Sequence, residues 1–147
     1  MRRILIYAVF IVGVLLIGLA VGTITRPDGW YAALVKPSFN PPNWVFAPVW
    51  TLLYVVIAVV GARNFESGHN LVLWVTQMVL NFAWTPAFFG LHRPALALAI
   101  VITMLVTIVA FIATRWSADR ISALLFVPYA AWVAFASLLN ASIVALN

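Results

Sequence analysis

The 147-residue chain has no cysteine and only three acidic residues, and both shortages narrow what it can be. Without cysteine there is no disulfide, no thiolate nucleophile and no cysteine metal site, and the redox compartment leaves no mark. Asp28, Glu66 and Asp119 all lie outside the apolar stretches. No carboxylate is therefore placed inside a membrane span, which removes the relay that ion-coupled transporters run on. Polar sequence long enough for a soluble domain is also missing, and no repeat or low-complexity tract appears. The formal net charge of +5 would suit a nucleic-acid partner, but the eight Lys and Arg are spread over both ends of the apolar blocks, where they serve as interface anchors. Nucleic acid is discounted.

What fills the chain is apolar sequence, with a mean hydropathy of +1.13. Crossing a hydrocarbon core of roughly 30 Å takes about 20 helical residues. The blocks Ile4 to Gly22, Trp44 to Ala62, Leu71 to Gly90, Ala95 to Thr114 and Ile121 to Leu146 all reach that length. They are near-continuous Leu, Ile, Val and Ala without the dyad alternation of a lipid-facing barrel. The expectation is an all-α membrane protein, one domain over 1–147 with five transmembrane helices. Arg2-Arg3 and the run that follows read as a first span, because the run exceeds a signal-peptide core and lacks a small-residue cleavage site. Arg2, Arg3, Arg63, Arg115 and Arg120 fall on the N-terminal face, against Arg26, Lys36 and Arg93 on the other. The positive-inside rule then makes the N-terminus cytoplasmic.

Three connections are short: Asn64 to Asn70, Leu91 to Pro94 and Arg115 to Arg120 join antiparallel neighbours. The first, Thr25 to Asn43, is long and carries Trp30-Tyr31, Leu34 and Phe39 between Pro- and Gly-rich ends. This composition predicts one or two amphipathic turns docked as a lid over one end of the bundle. Pro41-Pro42 suits the first positions of the second span, with Asn40 as cap. Pro48, Pro86 and Pro128 lie inside spans and predict kinks.

Odd and even helices run in opposite directions, so depth can be read from span order. Near the lid face lie Trp44, Phe46 and Trp50 of the second span, and Asn81, Trp84, Thr85 and Phe88 of the third. Tyr129, Trp132, Ala136 and Asn140 of the fifth span recur at spacings of three or four, hence on one stripe. Gln77 extends the third-span stripe, and amides exposed to lipid are costly, so these stripes face the interior. Two readings stand side by side: an aromatic-walled pocket for a flat apolar ligand, or amides serving as interhelical glue among ordinary packing tryptophans. Trp74 and Trp116, at span ends opposite the lid, fit an interfacial belt. His69 and His92 are 23 residues apart, roughly 35 Å along a helix. They cannot share one haem iron and read as surface residues; no metal site is expected. Gly18-x-x-x-Gly22 and the weaker Ala95/Ala99 pair serve either a homodimer or close packing within one bundle.

Four blocks in a set order then resemble one family. They are Trp30-Tyr31 with Leu34 and Lys36-Pro37; Asn40-Pro41-Pro42-Asn43-Trp44-Val45-Phe46 through Trp50; Asn81-Phe82-Ala83-Trp84-Thr85-Pro86 to Phe89-Gly90; and Val127-Pro128-Tyr129 to Trp132 with Phe135-Ala136 and Leu139-Asn140. Over essentially its whole length the chain resembles the TspO/MBR group, the tryptophan-rich sensory proteins related to the mitochondrial translocator protein. The resemblance implies a five-helix bundle, commonly dimeric, in a membrane that is here expected to be a bacterial cell membrane. It also implies a pocket between spans two, three and five beneath the first loop for porphyrins (protoporphyrin IX or haem), with no cofactor required. Ligand-wall positions carry over as Trp44, Phe46, Trp50, Asn81, Trp84, Trp132, Ala136, Leu139 and Asn140. Trp50 and Trp132 match the two tryptophans tied in some members to light-dependent porphyrin degradation, whether enzymatic or photochemistry of the bound pigment. Arg26 and Lys36 are candidate partners for the propionates. The sterol-recognition pattern of animal relatives needs Tyr followed by Lys or Arg, and Ala141 to Asn147 has neither. Phe39 stands where the family often has Trp. A passive translocator of apolar molecules and a non-catalytic interaction scaffold are the alternative functions.

Overall fold

The structure, a computed structural model, describes residues 1–147 and is entirely helical. Five long helices, α1 (Arg2–Ile24), α3 (Asn43–Glu66), α4 (Val72–Thr85, continued by a π-helical turn Pro86–Gly90), α5 (Pro94–Arg115) and α6 (Arg120–Leu146), are each long and apolar enough to cross a membrane. A short helix α2 (Gly29–Ala33) lies in the first connection. The all-α, five-span expectation holds.

The long helices form a ring: α1 packs on α3, α3 on α6, α6 on α5, α5 on α4, and α4 back on α1. Away from the lid the interior is solid, with Ile57, Met104, Ile108, Phe111, Phe126 and Tyr129 fully buried in one core. α1 is the least embedded member, with only Val14 and Gly18 buried. Its approach to α3 depends on two glycines. A Cβ on Gly18 would sit 2.6 Å from the Tyr54 ring, and one on Gly61 would sit 2.8 Å from the Phe10 ring of α1 and 2.5 Å from the Trp74 indole of α4. Gly18 is thus used inside the bundle, whereas a Cβ on Gly22 would meet nothing within 4 Å.

Polar groups tie the face opposite the lid. Arg63 donates to the Asp119 carboxylate (2.8 Å) and the Ser122 hydroxyl (3.1 Å), and Arg115 donates to Asn64 Oδ1 (2.9 Å) and the Asn70 carbonyl (2.8 Å). Burial alone would raise the Asp119 carboxyl, but hydrogen bonds from Arg63 and from the Ser122 hydroxyl and N–H more than reverse this and bring it to about 2.

Three local expectations need correction. Trp74 is not a belt residue: it is 8% exposed, donates Nε1–H to the Ile57 carbonyl (2.9 Å) and packs edge-on against Phe10. The aperture left by Gly61 admits it. Trp116 does stay at the surface, under the Arg120 guanidinium. Asn40 does not cap α3; Pro42 takes the cap position and its carbonyl accepts from the Val45 N–H (3.0 Å). At Pro86 the chain widens rather than simply bending, with the Leu91 N–H reaching the Pro86 carbonyl five residues back (2.8 Å).

Candidate functional site

On the lid side the ring is hollow. A cavity of about 550 Å³ lies between α1, the lid, α3, α4 with its π turn, and α6, while α5 contributes nothing to its wall. Its volume falls in the range of about 300–1,000 Å³ usual for small-molecule sites. No lining residue carries a charge. Aromatic rings dominate: Phe46, Trp50 and Tyr54 from α3, Trp84, Phe88 and Phe89 from α4 and its extension, Trp132 from α6, and Tyr31 from the lid. Phe46 meets Trp132 at 6.0 Å between centroids, Trp50 meets Tyr54 at 5.7 Å, and Trp84, Phe88, Phe89 and Tyr31 form a third cluster.

Of the expected wall positions, Phe46, Trp50, Asn81, Trp84, Trp132, Ala136, Leu139 and Asn140 all face this space. Trp44 does not. It is 75% exposed on the outer face of α3, where an indole suits the membrane interface, because the helical turn that brings Phe46 and Trp50 inward carries Trp44 out.

The two readings of the amides turn out to describe the same residues. The Tyr54 hydroxyl donates to Asn81 Oδ1 (3.2 Å), Asn81 Nδ2 donates to the Tyr129 hydroxyl (2.7 Å), and that hydroxyl donates to Gln77 Oε1 (2.7 Å). Gln77 Nε2 closes the chain on the Trp74 carbonyl (2.8 Å). Asn140 accepts from Trp84 Nε1–H (3.0 Å) and donates to the Pro94 carbonyl (2.8 Å). Both asparagines line the cavity while their polar atoms bind other helices. Trp132 differs, since its buried Nε1–H has no protein acceptor. Asn40 Oδ1, also on the wall, is buried without a donor. Such orphaned groups call for a partner.

The proposed propionate partners lie off the wall. Lys36 Nζ is held over the Tyr31 ring (4.5 Å) and near the Ala32 and Leu34 carbonyls (3.4 and 3.2 Å). Arg26 is exposed between Thr25 and Pro27, which both line the cavity, and so stands at its rim.

Sequence reasoning missed the first span, which supplies Leu15, Gly18, Leu19, Gly22 and others to the wall. The Gly18/Gly22 spacing is the available signal, and it points to a homodimer contact or close helix packing rather than to a cavity wall. The pocket accordingly involves four spans, not three. Tyr31 and Tyr54 were missed as well, and the π turn is what lets the consecutive Phe88 and Phe89 both reach the cavity and Tyr31.

The lid is pinned along its length. Asp28 caps α2 through the Tyr31 N–H (3.2 Å) and pairs with His92 Nε2 (3.0 Å), and the His92 ring stacks on Trp30 at 4.3 Å. The Tyr31 N–H foremost, and then His92, hold the Asp28 carboxyl below its ordinary range. At the other end Asn147 makes paired bonds to the Val35 N–H and carbonyl (2.9 Å each). His92 is therefore part of the lid's fastening rather than a merely solvated surface residue.

Comparison with known proteins agrees with this architecture. The TspO/MBR family profile matches residues 8–146. Protein CrtK of Rhodobacter capsulatus is 38% identical over 97% of this chain and 92% of its own length. Tryptophan-rich protein TspO of Chlorobaculum tepidum is 37% identical over 99% and 98%. The human translocator protein is 35% identical over 76% and 70%. With the profile matching nearly its whole length, this integral membrane chain belongs to the TspO/MBR family.

Proposed function

We propose that the protein is a membrane-embedded porphyrin-binding sensor or scavenger, working in a bacterial cell membrane as a homodimer. The observation that carries this reading is the uncharged, aromatic-walled cavity of about 550 Å³ under the pinned lid. Flat apolar macrocycles gain from stacking and burial against such walls, while the absence of charge inside requires the propionates of a porphyrin to stay at the rim, beside Arg26. The free Trp132 Nε1–H supplies one directional contact to an acceptor on the ligand. Trp50 and Trp132, both on the wall, are close enough to a bound pigment to quench its excited state or pass it an electron under illumination.

Titration of purified protein with protoporphyrin IX in darkness should quench tryptophan fluorescence saturably. The variant Trp50→Phe with Trp132→Phe should lose most of that quenching and slow any loss of pigment absorbance in light. Unchanged quenching and unchanged photodegradation in this variant would refute the site assignment. A translocator reading would need a path through the half of the bundle filled by Ile57, Phe111, Phe126 and Tyr129. Protein-dependent uptake of porphyrin into sealed liposomes would favour it.

A further inference from the structure

The cavity wall is buried on two sides and open on a third. On α4 and α6 no lining residue is exposed, and Asn81, Phe88, Ala136, Leu139, Asn140 and Ile143 are buried. On α1 and α3, by contrast, a subset of the lining residues is exposed: Leu19, Gly22 and Thr23, and Asn43, Ala47 and Thr51. Each set follows helical spacing, i, i+3, i+4 on α1 and i, i+4, i+8 on α3, so each forms one stripe along its helix. A residue that belongs both to the cavity wall and to the outer surface marks a rim.

The seam between α1 and α3 is shut toward the opposite face by Gly18 on Tyr54 and by Gly61 on Trp74 and Phe10, while beyond Gly18 both helices carry lining residues that are exposed. The rim on α3 runs from Asn43 to Thr51, about 12 Å of helix, which sets the gap in the lid-side leaflet. Leu19 is 65% exposed, and neither Gly22 nor Ala47 projects bulk into the gap. The top, by contrast, is fastened by Asp28 to His92, by Trp30 on His92 and Phe88, and by Asn147 to Val35.

We propose that the cavity exchanges its ligand sideways with the hydrocarbon of the lid-side leaflet, through the slot between α1 and α3, and not with water through the lid. This rests on the reading of the cavity as a site for a planar apolar ligand. Such a molecule partitions into lipid before it meets the protein, and passage through the slot spares it from re-entering water. The slot also lets ionised substituents trail at headgroup level next to Arg26 while the ring slides inward.

The test uses full-length protein in lipid nanodiscs, with protoporphyrin IX as probe and stopped-flow tryptophan quenching as readout. Gly22→Leu with Ala47→Leu fills the slot; a Cβ at Gly22 has open space around it, and Ala47 is exposed. This variant should slow association and dissociation each at least tenfold, whereas simple damage to the site would speed dissociation. Separately, Asp28→Cys with His92→Cys, the sole thiols in this chain, joined by a short bismaleimide, locks the lid. Locked protein should exchange ligand within twofold of the unlocked rate. Exchange abolished by the lid lock, or unaltered by the slot filler, overturns the lateral route while leaving saturable quenching, and so the binding reading, intact. No saturable quenching by the unmodified protein would instead overturn the binding reading and this inference together.

Discussion

Removing one oxygen atom from the centre of the bundle tests how the amides are used. In Tyr129→Phe the ring stays, but the hydroxyl that accepts from Asn81 Nδ2 and donates to Gln77 Oε1, both at 2.7 Å, is gone. The two amides do not suffer equally. Gln77 is 0% exposed and its Oε1 loses its hydrogen bond from Tyr129 with no access to water. Stranding a buried acceptor costs about 1–3 kcal/mol. Asn81 Nδ2 loses its acceptor too, but Asn81 borders the cavity, where another partner can reach it, so the loss there is less, about 1 kcal/mol. The sum, about 2–4 kcal/mol, exceeds the roughly 0.6 kcal/mol typical of a single interhelical hydrogen bond in a membrane protein, where the unfolded reference state finds substitutes. Denaturation in detergent micelles, followed by near-ultraviolet circular dichroism, measures it directly. The companion variant Gln77→Met removes the stranded acceptor. The double variant Tyr129→Phe with Gln77→Met should recover at least half of what Tyr129→Phe loses. A loss below about 0.5 kcal/mol in the single variant, or no recovery in the double, would refute the view that this chain of bonds holds α4 to α6.

Gly61→Ala should destabilise by about 1–3 kcal/mol through overpacking, because the new methyl would fall 2.5 Å from an indole whose Nε1–H is tied to Ile57; an unchanged denaturation midpoint would contradict it. Ala136→Phe, on a buried stretch of α6 facing the cavity, should weaken protoporphyrin IX quenching at least tenfold without altering the far-ultraviolet helix signal, and undiminished affinity would move the ligand elsewhere. Asp119 has a folded-state pKa of about 2 against an ordinary value of 3.8, so its contribution is fully present above about pH 4 and is lost as pH falls toward 2. Melting in detergent across that window should show a fall in stability that Asp119→Asn flattens; parallel profiles for the two proteins would speak against the Arg63–Asp119 tie.

How much of this was legible in the sequence depends on which force fixed each feature. The five spans follow from continuous apolar runs, because lipid allows little besides a helix, and the depth of each tryptophan follows from chain direction alone. Facing is harder. Trp84 and Trp132 were placed inward through stripes anchored by Asn81 and Asn140, since a carboxamide toward lipid is expensive, whereas Trp50 reached the wall only through the family resemblance. Trp44 had no such anchor, and its position near the lid face could not tell an interface indole from a wall indole. Trp74 erred the other way: only the gap created by Gly61 on a different helix makes room for it, and a pair so distant in sequence has no periodic signature. The largest omission, the wall made by α1, has the same origin. A span with no polar stripe offers nothing to orient it, and its role shows only once Gly18 is seen against Tyr54. The largely apolar surface that hid α1 from a reading by stripes also suits a slot open to hydrocarbon, where the Thr23 and Thr51 hydroxyls are spent on the Ala20 and Ala47 carbonyls of their own helices. Side-chain hydrogen bonds between helices thus mark the closed sides of this cavity, and the side that lacks them is the one through which an apolar ligand can pass.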